Sequence, residues 1–263
     1  TGATNTAIGT SALGANTTAS NNVAMGYQTL DANTTGASNT GIGTSSLGAN
    51  TTGDGNVGSG YQSLFSNTTG DKNVASGYQS LYSNTTGTFN VAIGNTALYT
   101  NETGGSNTAV GMSALKSNSS GSYNTAFGYR ALDGNTTGAN NVAVGSDTGS
   151  AVTTGSNNTA IGREALYKVT TQSDNTAIGR AALANTRASY NTGIGSQALQ
   201  ENTTGANNSA LGYRALYNNT GGAGNVAIGN NALKSNTTGA NNVAMGYLSL
   251  DANTTGASNT AIG

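Results

Sequence analysis

The feature that most limits the fold is a period. A five-residue signature, typified by Asn90-Val91-Ala92-Ile93-Gly94, occurs sixteen times between Asn5 and Gly263. Its spacing is seventeen residues everywhere except from Asn175 to Asn191, where it is sixteen. Self-similarity of this kind marks a stacked repeat, in which each unit hides its apolar side only against its neighbours. The expectation is an all-β chain: a parallel β-solenoid with one 17-residue repeat per coil. Residues 1–263 form a single repeat domain of about 15.5 coils, irregular over 146–190. At ~4.8 Å per coil this is a rod of roughly 70–75 Å. The sequence starts at Thr1 and stops on a signature glycine, and it reads as a piece of a longer fibre.

Within one unit the second position is always β-branched or Ser, which favours strand over helix. The third is always Ala or Gly, and the fourth is a larger apolar residue in all copies but Ser59 and Ser76. Side chains alternate along a strand, so positions two and four share a face and position three has the other. That second face demands absence of bulk. A second short strand is expected around the recurring Leu, as in Gln79-Ser80-Leu81 or Arg130-Ala131-Leu132. The Asn-Thr-Thr-Gly run reads as a turn, with Asn accepting backbone bonds and Gly taking positive φ. The predicted core ladder is Ile8, Ile93, Ile161, Ile178, Leu81, Leu98 and Leu132.

Composition then decides how such a coil is stabilised. Leu, Ile, Val and Phe make up 38 of 263 residues, about 14%, which is thin for a globular core. Charge is also sparse, at 7% with a net of −1, so the disorder signature is incomplete and a backbone ladder must do much of the work. A coil with two inward stretches leaves an apolar side to hide. The expectation is a parallel homotrimer about a shared axis. Its trimer-contact or close-packing row is the small-residue face: Ala7, Ala24, Ala92, Ala109, Ala126, Ala143 and Ala227.

The signature Asn-x-Ala-Ile-Gly followed by a small-Leu pair resembles the head repeats of YadA-like trimeric autotransporter adhesins. It is similar also to the Asn-Thr-Ala-Ile-Gly…Asn-Thr-Thr-Gly repeats of tail-fibre-like proteins. The resemblance covers the whole chain and implies a left-handed β-roll, trimeric, displayed on a bacterial surface or a virion fibre. The Asn-Thr-Thr-Gly turn and the regularly placed Leu depart from the adhesin heads.

Candidate ligand contacts are few. Arg163 and Arg180 hold the same repeat position one coil apart, with Lys168 between them in sequence. Like charges that close suit an acidic glycan or other polyanion; the alternative is a local kink with Glu164 and Asp174 as counter-ions. Tyr27, Tyr61, Tyr78, Tyr129, Tyr213 and Tyr247 recur just after the signature Gly. Such a stripe suits sugar stacking, and it serves equally to cover the edge of a thin core. Asn-x-Thr/Ser triplets at Asn16, Asn33, Asn50, Asn84, Asn101, Asn118, Asn202 and Asn253 match a glycosylation acceptor, though turn chemistry already accounts for them.

There is no His or Cys, which removes the commonest general base, the thiolate nucleophile and the usual transition-metal ligands. Ten scattered acids supply no paired carboxylates and no calcium cage. No cofactor, metal or catalytic site is implied. Near-neutral charge gives no pull toward nucleic acid, and no apolar run reaches the ~20 residues of a membrane span. The expected role is an extracellular structural and adhesive fibre, on a cell surface or virion, which binds a host-surface glycan or receptor. The alternatives are an ice-binding solenoid with threonine ladders and a fibre-borne glycan depolymerase.

Overall fold

A computed structural model describes residues 2–263. The chain falls into two compact units, Thr1–Thr137 and Gly138–Gly263. Both are built from one coil. The first unit carries β1 (Thr6–Ile8), β2 (Val23–Met25), β3 (Thr40–Ile42), β4 (Val57–Ser59), β5 (Val74–Ser76), β6 (Val91–Ile93), β7 (Thr108–Val110) and β8 (Thr125–Phe127). The second carries β9 (Val142–Val144), β10 (Thr159–Ile161), β11 (Thr176–Ile178), β12 (Thr192–Ile194), β13 (Ser209–Leu211), β14 (Val226–Ile228), β15 (Val243–Met245) and β16 (Thr260–Ile262). Inside each unit every strand pairs in parallel with the next in sequence, and equal repeat positions face each other, as in Ala24↔Gly41 and Ala160↔Ala177. This is a β-solenoid with one repeat per coil.

Ladder bonding does not stop where the strand ends. Around the Leu, Leu30 N donates to Ser46 O at 3.1 Å and Ala32 N to Gly48 O at 3.1 Å. In the turn, Thr34 N donates to Thr51 O at 3.0 Å. Each coil is thus bonded to the next along most of its circumference, which offsets the shortage of apolar bulk.

The Leu stretch is not a second strand. Gln79 and Leu81 have φ of 49° and 53°, and Arg130 and Leu132 have 53° and 51°. Left-handed φ is costly for a side chain like Leu and persists only where the surroundings enforce it. Here it turns two consecutive side chains inward: Ala97 and Leu98 are both fully buried, as are Ser80 and Leu81. A strand would have sent one of each pair outward.

The interior is therefore the Ala row, the small-Leu pair and two asparagine ladders. Ala24, Ala92, Ala109, Ala126, Ala143 and Ala227 are all 0% exposed within their own coil, so they cannot meet a neighbouring chain; Ala7 in the first coil is exposed. Close packing is their role, and the trimer contact expected of them is corrected. The reason is the curl of the coil, which closes over position three and faces positions two and four outward. The Ile half of the predicted core ladder is corrected with it. Ile8, Ile93 and Ile161 are 58%, 43% and 38% exposed, and Ile178 is half-buried. Leu81, Leu98 and Leu132 are in the core as expected.

The asparagines are the larger surprise. Asn50 Nδ2 donates to Asn33 Oδ1 at 2.9 Å and to Gly53 O at 3.0 Å. The signature residue Asn39 donates its Nδ2 to the same Gly53 O at 2.8 Å, and its backbone N–H to Asn22 Oδ1 at 2.8 Å. Two buried amide columns thus converge on one carbonyl per coil. Toward the backbone ahead of it the turn Asn donates rather than accepts, contrary to expectation, and its oxygen accepts instead from the Asn of the next coil. The turn Gly also differs: Gly36 and Gly70 do not have positive φ, which belongs to the signature glycines such as Gly26 (139°) and Gly94 (134°). Gly36 is required because a Cβ there would lie 2.4 Å from Gly53 O and 2.6 Å from Asn33 Oδ1.

The irregular segment keeps this frame. Val152 and Val169, fully buried, replace two successive turn asparagines, and Thr186 replaces a third, accepting from Asn202 Nδ2 at 3.0 Å. The sixteen-residue coil loses its residue from the turn, so the strand register Thr176↔Thr192 is preserved.

Candidate functional site

The outward surface of the coil is set by the strand and by the glycine that ends it. Positions two and four project from the sheet. The fourth carries Met25, Ile42, Ile93 and Phe127 in the first unit and Val144, Ile161, Leu211 and Met245 in the second, all exposed between 37% and 57%. In-register pairing stacks these at ~4.8 Å into an apolar column, broken in the first unit by Ser59 and Ser76. Soluble monomers rarely leave a contiguous face of this kind uncovered.

Beyond the signature Gly the chain lifts away and exposes the next side chain. In the first unit Tyr27, Tyr61, Tyr78 and Tyr129 stand there, each 45–52% exposed, and Tyr61 and Tyr78 stack with centroids 5.4 Å apart. In the second unit the same position holds Arg163, Arg180, Tyr213 and Tyr247, all exposed. The predicted tyrosines and both arginines thus share one ridge position, alongside the apolar column. Lys168 does not share it, since it follows the Leu turn and is exposed there.

The basic cluster is looser than the spacing implied. Arg163 is tied to Glu164, with Nη2 2.7 Å and Nε 3.1 Å from one carboxylate oxygen. That hydrogen bond, with the charge of Glu164 behind it, raises the pKa of the guanidinium above its ordinary value. Asp174 instead accepts from Asn157 Nδ2 at 3.2 Å and does not serve Arg180. Among the described residues neither Arg180 nor Lys168 has a side-chain partner.

A second aromatic set stands directly after the Leu of successive coils. Phe65, Tyr82 and Tyr99 stack at 5.4 and 5.2 Å with planes 13° and 8° apart. In the second unit, Arg214 lies 5.1 Å from the ring centre of Tyr213 and 5.3 Å from that of Tyr217, while its Nε donates to Gln197 Oε1 at 2.8 Å. The repeat itself was the available signal, because residues seventeen apart stack.

The chain matches no family model and no curated protein. Among the described residues no group of His, Cys, Asp and Glu could hold a metal ion, and no helix is long and apolar enough to cross a membrane. The acceptor-like triplets have a structural use. The side chains of Asn33, Asn50, Asn84, Asn101, Asn118 and Asn202 are buried in the amide column, where a glycan would have to break it.

Proposed function

We propose that this chain is a structural and adhesive element of an extracellular fibre, on a cell surface or a virion, which assembles as a parallel homotrimer. The observation that carries the reading is the exposed column of Met25, Ile42, Ile93, Phe127 and their equivalents on a coil whose interior is already full. An apolar sheet face with nothing over it calls for a partner, and a second and third copy present the same face at the same spacing. The contact is thereby moved from the alanines to positions two and four. Left-handed winding belongs to the same reading, on the strength of the repeat's resemblance.

Adhesion rests on the ridge beside that face, where tyrosines and two arginines stand one coil apart. Amphipathic rings at regular spacing suit the faces of sugars, and the arginines suit acidic substituents. The reading assigns no catalytic residue. The ice-binding alternative gains nothing from the first turn Thr, whose hydroxyl is spent on backbone, as in Thr34 Oγ1 to Thr51 O at 3.1 Å.

Sedimentation equilibrium tests the assembly. The expected mass is three times 25.8 kDa, falling toward 25.8 kDa in an Ile93→Asp, Ile161→Asp double variant. A folded wild-type monomer at micromolar concentration overturns the reading, and a stable dimer overturns the trimer.

A further inference from the structure

In the first six coils the residue after the Leu is, in order, Gly14, Asp31, Gly48, Phe65, Tyr82 and Tyr99. The last three form a continuous ring stack, because coils repeating at ~4.8 Å bring successive flat side chains to stacking distance. At Gly48 the stack stops with the upper face of Phe65 uncovered. Backbone geometry does not demand that glycine. Its φ is not left-handed, and the atoms nearest to an added Cβ would be the ring edge of Phe65 at 3.2 and 3.3 Å and the Ser45 carbonyl at 3.3 Å, so the ring has to give by only a few tenths of an ångström. One rung of the column has simply been left out.

The omission makes a cavity of about 320 Å³. Phe65 forms one end and Asp31 the other, with the methyls of Ala32 and Ala49 at the sides and the polar groups of Gln28 and Ser45 beside them. Asp31 and Phe65 lie two coils apart, ~9.6 Å, which is room for a single flat ring between them. The rung at Gly14 differs, since Asp31 Oδ1 leans to within 2.5 Å of where a Cβ would be and occupies it. At Gly48 the nearest neighbour is instead the edge of an aromatic ring, that of Phe65.

We infer that the Gly48 notch binds one pyranose ring, its C–H face laid on Phe65 in place of the missing aromatic side chain. The chemistry selects this class. The ring face of Phe65 is the negative end of a quadrupole and prefers C–H or cationic edges over another electron-rich face. The notch is open on one side, so the rim of the ligand stays wet. That suits a ring edged with hydroxyls and penalises one edged with carbon. Gln28 offers both a donor and acceptors, and Ser45 and Asp31 offer further oxygen atoms to those hydroxyls. The inference rests on the adhesive part of the function proposed above and is independent of the trimer.

Saturation-transfer NMR on the full chain, with methyl β-glucopyranoside and methyl β-galactopyranoside as probes, tests it. Transfer is expected to the protons of one ring face, with affinity on the order of millimolar. Gly48→Tyr fills the rung and extends the stack by one ring; it is expected to keep the wild-type circular dichroism and to lose the transfer at least about fivefold. Equal transfer in Gly48→Tyr and wild type overturns the site, as does stronger transfer to indole than to either pyranoside. A glycan array separates this inference from the adhesive reading. Glycans that bind the wild type and Gly48→Tyr alike leave the adhesive ridge standing and remove the notch; no bound glycan and no pyranoside transfer removes both.

Discussion

At the scale of single residues, the asparagines outrank the hydrophobic side chains as sources of specificity. Asn84 donates to Asn67 Oδ1 at 2.8 Å and to Gly87 O at 3.0 Å, and accepts from Asn101 Nδ2 at 2.8 Å, all with no exposed surface. Asn84→Ala would strand the Asn67 oxygen and one Asn101 hydrogen, since Gly87 O keeps its bond from Asn73. The expected loss is ~2–4 kcal/mol, read from urea unfolding, because stranded buried polar groups cost more than the bond itself is worth. Val152 and Val169 are two successive apolar rungs, so between these two no polar group faces an apolar one. Read from sequence alone, these asparagines are turn formers that accept backbone bonds. Their interior position shows only once two residues fourteen apart, Asn39 and Gly53, are known to touch.

At the scale of the element, the three-residue strand divides inside from outside at every second side chain. The alternation was legible in Thr125-Ala126-Phe127, and so was the demand that one face lack bulk. Which face is interior was not legible. A period of two names two sides without saying which one the chain curls over. The curl is set by left-handed residues such as Gln79 and Leu81, and left-handed φ is unusual enough for Leu that no propensity argument would place it there. The division makes a contrast testable. Leu98→Ala opens a cavity in the coil and is expected to cost ~2–5 kcal/mol at any protein concentration. Ile93→Ser removes an exposed side chain, so its penalty is expected to vanish on dilution and to grow with concentration as copies associate. Thermal melts of both variants across a hundredfold range of concentration distinguish the two patterns.

At the scale of the whole molecule, the period that organised the sequence also governs which changes of length the chain tolerates. Equal positions face each other in each unit, so a deletion of residues 74–90 joins Asn73 to Val91 and returns a complete coil. Its melting temperature is expected within a few degrees of wild type, because stability in such arrays is close to a sum over neighbouring repeats. Deleting residues 74–81 puts unlike positions opposite each other and is expected to give an unfolded or aggregated product by circular dichroism and light scattering. The natural one-residue loss before Asn191 survives because it falls in a turn. The amide columns have one more effect, on chemical ageing. An asparagine deamidates when the following backbone nitrogen attacks its side-chain carbonyl carbon, and Asn is for that reason a thermolabile residue. At Asn84 the amide is held at both ends, and the nitrogen that would attack it, on Thr85, is bonded to Glu102 O at 2.9 Å. The residue type most prone to spoil with time is therefore, in this chain, among the best preserved.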